Sequence, residues 1–167
     1  SERDDLLVCE DIGTEWADFV GVSTTDHRVT FYHCKGGHID VGASGLHEVV
    51  SQATKNLGYL TASSAELRAR AARWRGNWNQ RPIPRLQRGA SVDTFIAGFG
   101  NAVVAPQAIR RVMIVTSSLS KAALSQAFDN LDHHAPSASV VHVLWLLSAF
   151  VDQCRAAGAI PHIICRP

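Results

Sequence analysis

Asp18, His33, Lys35, Glu48 and Gln52 are the residues whose types and spacing can carry chemistry. His33 and Lys35 close the run Val29-Thr-Phe-Tyr-His-Cys-Lys35, which begins apolar and aromatic and stops at Gly36-Gly37. Lysine is among the residues least often buried, and this chain has only three lysines among its sixteen basic residues. One at the end of a core-like strand needs a reason. Strand alternation puts Val29, Phe31, His33 and Lys35 on one face. Asp18-Phe-Val-Gly-Val22 reads as the preceding strand, and Ser23–His27 as the turn of a hairpin. Pairing across that turn sets Asp18 beside Tyr32 or His33, sharing a face with Val20 and Val22. That face runs from apolar to polar and ends in Asp18, His33 and Lys35 together.

Downstream, Glu48, Gln52, Lys55 and Tyr59 recur at helical spacing. Their stripe is distinct from the apolar one of Leu46, Val49, Val50, Ala53 and Leu57. With the apolar stripe on the sheet, the polar stripe borders the same cleft. Carboxylates beside a lysine suit phosphodiester hydrolysis. A carboxylate-bound divalent cation lowers the pKa of bound water and offsets phosphoryl charge, while the lysine holds or deprotonates that water.

An aspartate opening one hairpin strand, a His–Lys couple two residues apart on the next and a glutamine on the following helix resemble the PD-(D/E)xK nuclease superfamily. The matching residues are Asp18, His33-Cys34-Lys35 and Gln52, with Glu15 just upstream. The resemblance spans roughly residues 6–60. It implies a restriction-endonuclease-like α/β (α+β) fold, with an antiparallel meander in a mixed central sheet flanked by helices. It implies Mg²⁺ or Mn²⁺ held by Asp18 and residue 33, with the Cys34 carbonyl as a further ligand. Lys35 is then the residue that assists water, and Gln52 and Glu15 support catalysis. The implied partner is DNA, in a restriction, phage-defence or repair protein that carries a helicase or sensor module. A homodimer is compatible with this.

His33 departs from the pattern, standing where the family has Glu or Asp. Imidazole suits Mn²⁺ and other transition metals better than Mg²⁺, which prefers oxygen. Three alternatives stay open. His33 is a variant ligand, or Glu15 or Glu48 supplies the missing acid, or the site no longer cuts. In the last case the domain keeps the fold and binds nucleic acid or a protein partner.

The net charge of +1 hides two opposite ends. Residues 1–40 hold nine acids against Arg3, Arg28 and Lys35, whereas residues 66–88 hold seven arginines against Glu66 alone. An acidic end can gather a metal and a basic stretch can gather phosphates. Arg68, Arg70, Arg73, Arg75, Arg81, Arg85 and Arg88 interleave with Trp74 and Trp78. That mixture suits phosphate contact and base stacking, so these arginines and Trp74 are the expected nucleic-acid contacts.

The chain is long enough for one domain with a sizeable core, and it reads as a module excised from something larger. Its apolar fraction of 46% and charged fraction of 19% are those of a globular protein. No apolar run approaches a membrane span and no signal peptide is visible, so a cytoplasmic location is expected. Cys9, Cys34, Cys154 and Cys165 are scattered without a Cys-x-x-Cys pair, which favours reduced thiols over disulfides or structural zinc.

Further elements follow from periodicity. A strand covers Leu6–Cys9, and helices cover 44–59, 65–75, 92–104, 119–129 and 138–157. Short apolar runs at 111–116 and 160–165 read as buried strands. Other polar clusters rank lower. Thr116-Ser-Ser reads as capping, His142 as a core histidine and His133-His134 as a surface loop.

Overall fold

The computed structural model describes residues 3–11, 13–36, 43–131 and 135–167. His133 and His134 lie outside the described residues. Three strands, β1 (Leu6–Cys9), β2 (Phe19–Ser23) and β3 (Arg28–Lys35), form an antiparallel meander. Helix α1 (Ala43–Lys55), helix α2 (Ser64–Trp74), the short strand β4 (Leu86–Arg88) and helix α3 (Val92–Val104) follow. Strand β5 (Ile109–Ser120), helices α4 (Lys121–Asp129) and α5 (Ala138–Ala156), and strand β6 (Ile160–Arg166) complete the chain. The six strands make one mixed sheet in the order β4-β1-β2-β3-β5-β6. β3 pairs in parallel with β5, and β5 with β6.

The sheet pleat sorts the side chains. Leu6, Val8, Val20, Val22, Val29, Phe31, Val112 and Ile114 point one way and are buried. On that side α1 packs on β3, β5 and α5, while α3 packs across β1, β2 and β3. Trp74, Phe95, Phe99 and Phe150 fill the same core from α2, α3 and α5. Leu7, Cys9, Phe19, Gly21, Tyr32 and Cys34 point the other way, where the segment between α2 and β4 folds over part of the sheet.

Helix starts are set by local chemistry. Ser63 and Glu66 form a reciprocal capping box on α2, while Ser91, Ser120 and Ser137 accept amides at the starts of α3, α4 and α5. Gly158, at φ 67°, takes the left-handed conformation that ends α5. α1 stops at Lys55 rather than reaching Tyr59, and a 3-10 turn covers Leu57–Thr61. The cause is Asn56, whose side-chain amide donates to the carbonyl of Glu15 at 3.1 Å. That bond ties the end of α1 to the loop before β2.

β5 is twice the length of its apolar run, because pairing with strands on both sides carries its polar ends. β4, only three residues long, is too short to show alternation. Among the described residues no helix is long and apolar enough to cross a membrane.

Candidate active site

The hairpin register pairs Val20 with Phe31 and Phe19 with Tyr32. The amide of Asp18 also donates to the Tyr32 carbonyl, at 3.0 Å. Asp18 and Phe19 therefore both oppose Tyr32, which is a bulge. It re-aims Asp18. Its carboxylate accepts the Cys34 amide at 2.7 Å and lines a cavity with Phe19 and Cys34. The expected row of Asp18 with Val20 and Val22 is thus corrected by the bulge. In a strand the N–H and C=O of one residue point to the same side. The Cys34 carbonyl therefore opens toward Asp18 as well.

Lys35 turns to helix α1. Its Nζ donates to Glu48 Oε2 at 2.6 Å, with both side chains partly exposed. Gln52, one turn further along α1, is half-buried. The expected face shared by Asp18 and Lys35 is split: Asp18 and Cys34 serve the helix-free side, whereas Lys35 and Glu48 pair on the helix side of the same sheet end, where Lys35 stands opposite Thr116. Thr116 and Ser118 are buried there, with their hydroxyls 2.7 Å apart.

His33 does not join them. It is 1% exposed, stands in register with Ile114 on the helix side, and its Nε2 has no hydrogen-bond partner among the described residues. Burial, helped by the charge of Lys55, pushes its pKa down to about 4. The expected face shared by Asp18 and His33 is therefore split by the pleat. His33 is a neutral core histidine in this arrangement.

Two further acids act on Asp18: Glu15, which is expected from the sequence, and Asp11, which is not. Burial raises the Asp18 carboxyl above its ordinary value, the Cys34 amide opposes this, and the charges of Asp11 and Glu15 raise it further. Glu15 Oε2 is buried with no hydrogen-bond partner among the described residues. The Glu15 loop is held from three sides. Asn56 grips its carbonyl, Arg70 donates to the Thr14 carbonyl at 2.9 Å, and buried Glu10 accepts the Trp16 amide. Among the described residues no three His, Cys, Asp or Glu side chains form a ready-made metal cluster.

The arginine stretch divides in two. Arg70 pairs with buried Glu10 and lies 4.3 Å over the Trp16 ring, so it pins α2 to the site loop. Buried Arg85 donates to the carbonyls of Cys9 and Asp11, and half-buried Arg88 donates to that of Asp4. Trp74 is 1% exposed and packs edge-on against Trp16 and Phe95. As nucleic-acid contacts these residues are corrected: their partners are within the fold. Arg68, Arg73, Arg75 and Arg81 are exposed, with the side chains of Arg73 and Arg75 bonding to Thr14 and Asp93 at the surface. Reversing those four to glutamate is expected to weaken DNA binding and flatten its salt dependence, by about one log–log unit per lost phosphate contact. Titrating a labelled duplex at several salt concentrations checks this, and unchanged slopes would rule out phosphate contact here.

Two buried groups give opposing pH dependences. Burial pushes Glu10 from 4.5 up to about 7, against the pull of the Trp16 amide and Arg70. The folded state keeps a proton there that the unfolded chain releases. This stabilisation is complete below pH 4.5 and is lost as pH rises through about 7. His33 works in reverse, because the unfolded chain takes up a proton below 6.5 that the folded state refuses until about 4. Its stabilisation is complete above 6.5 and is lost as pH falls through about 4. Between these limits the slopes oppose each other. Glu10→Gln should remove the opposing slope and steepen the rise of stability with pH that His33 supplies, up to about 1.4 kcal/mol per pH unit. Urea midpoints at three pH values decide it: a variant as flat as wild type would refute the His33 assignment.

Compared with family models, curated proteins and solved structures, the chain gives no match. The functional reading therefore rests on the geometry above.

Proposed function

We propose that this domain is a metal-dependent deoxyribonuclease of the PD-(D/E)xK type. One observation carries the reading. The Asp18 carboxylate docks on the amide between His33 and Lys35, at the strand end where Lys35 meets Glu48. The mixed sheet, an antiparallel meander whose third strand pairs in parallel with β5, is compatible with that fold. Open α/β sheets bind ligands at the carboxyl ends of such strands.

The donors fit a hard divalent cation. Asp18, Glu15 with its unpartnered buried oxygen, and the Cys34 carbonyl would hold it. When bound, the ion supplies an activated water and neutralises phosphoryl charge. Glu15 is the acid that compensates for His33. Lys35, at the same strand end but paired with Glu48 on the helix side, would reach around that end to hold the attacking water or a phosphoryl oxygen. Glu10, Arg70 and Asn56 fix the loop that carries Glu15.

An oxygen-only donor set predicts activity with Mg²⁺ as well as Mn²⁺. Incubating the domain with plasmid and with single-stranded DNA under each metal tests this, beside an Asp18→Asn control. Cleavage with both metals that the control lacks is expected. If neither metal supports cleavage, the domain is a binding module with this fold and the enzymatic reading fails.

A further inference from the structure

Beside Asp18 the helix-free side of the sheet holds a cavity of about 310 Å³. Its walls are Phe19, Trp78, Ile83 and Cys34, and two carboxylates, Asp11 and Asp18, reach into it. The wall is built rather than incidental. Trp78 Nε1 donates to Asp11 at 2.8 Å, its amide donates to the Ile83 carbonyl at 2.9 Å, and Asn77 bridges to Pro84. Buried Arg85 ties this segment back to the carbonyls of Cys9 and Asp11.

The charged groups of the cavity are both acids, so apart from a cation held by Asp18 it offers a phosphate no partner. An aromatic, apolar slot in which the Asp11 carboxylate serves as acceptor suits a planar ring that donates from an exocyclic amino group. Carboxylates read the amino group of cytosine in this way, and aromatic side chains stack on bases. A second, polar depression adjoins it and shares Asp11, and Arg73, Asn77 and Asn79 line it. The first suits a base and the second the phosphate attached to it.

We infer that the cavity takes an unpaired, amino-bearing nucleobase of a DNA strand, with its backbone running toward Arg73. This names the substrate of the site proposed above and rests on that reading. The domain therefore engages single strands, or ends and junctions where a base is splayed out, in preference to continuous duplex.

Binding to labelled dC12, dA12, dT12 and a blunt duplex tests this, read by anisotropy and tryptophan fluorescence with Ca²⁺ present to avoid cleavage. The expected result is dC12 and dA12 binding about tenfold or more tighter than dT12, which lacks the amino group. Trp78→Leu should remove this preference and lower affinity for dC12 by about tenfold or more. Ile83→Gln lies at a position 45% exposed, where folding is not at stake, and should weaken the preference in the same sense. Should Trp78→Leu fail to fold, Ile83→Gln decides. Equal affinity for all three oligomers, a preference that survives Ile83→Gln, or duplex binding as tight as dC12 would overturn the inference. The nuclease reading is judged separately, by metal-dependent cutting that Asp18→Asn abolishes. A base preference without cutting would leave the cavity assigned and the catalysis refuted.

Discussion

Lys35→Ala should abolish DNA cleavage while leaving the fold and DNA binding nearly intact. The Lys35–Glu48 pair, at 2.6 Å, has both members partly exposed, and such pairs contribute about 0–1 kcal/mol. The melting temperature should therefore move little. The rate should fall by about a hundredfold or more, the scale on which a positioned proton-transfer or water-holding group acts. Lys35→Arg separates two roles. Arginine keeps the charge but does not deprotonate at neutral pH, so it rescues a residue that only holds phosphoryl oxygens and fails to rescue one that accepts a proton. Glu48→Gln leaves the ammonium without its partner, and a partial loss is expected from the looser Lys35. Single-turnover cleavage of a labelled strand, beside thermal melts, measures all three variants. A Lys35→Ala protein that cuts at the wild-type rate would remove the lysine from the mechanism.

Much of the architecture was legible because it depends on neighbours in sequence. The β2–β3 hairpin follows from alternation around a short polar turn, and Asp18 lies beside Tyr32, one of the two partners expected for it. The helices follow from apolar spacing and serine caps. What stayed illegible depends on partners distant in the chain or on one-residue irregularities. The bulge at Asp18 changes which side of the pleat its carboxylate serves, and no residue type announces it. Arg70 and Glu10 are 60 positions apart, and Arg85 and Cys9 are 76 apart. An arginine in a basic run therefore looks alike whether it faces solvent or a buried acid. Sequence alone leaves both Glu15 and Glu48 as candidates for the acid that His33 replaces. The unpartnered oxygen of Glu15 favours the first of those two substitutes.

Asp4→Ala should produce the largest loss of stability among single substitutions near the site. Asp4 is 3% exposed, and its two oxygens serve different partners. Oδ1 accepts Arg28 Nη2 at 3.1 Å and Oδ2 accepts the Tyr32 hydroxyl at 2.6 Å. Arg28 is itself 2% exposed, so its charge depends on Asp4 and on Asp26, which is mostly at the surface. β2 makes room for this carboxylate with a glycine. A Cβ at Gly21 would lie 2.1 Å from Asp4 Oδ2, so no other residue fits beneath it. Removing Asp4 leaves a buried guanidinium half-compensated and a tyrosine without its acceptor, a defect that costs about 3–5 kcal/mol. Gly21→Ala should disrupt the same network from the opposite side. The double variant Asp4→Ala with Arg28→Met identifies the cause, because replacing both members of a buried pair by apolar groups is often neutral. Restored stability there would assign the loss to the stranded charge, and an unchanged loss would assign it to packing. Urea unfolding reads each case, and an Asp4→Ala loss under about 1 kcal/mol would refute the argument. The network ties the residues before β1 to two positions of β3 across Gly21 of β2, and so supports the hairpin. The meeting of Asp18 with Cys34 depends on that hairpin, so cleavage should decline with the fold in Asp4→Ala and return with it in the double variant.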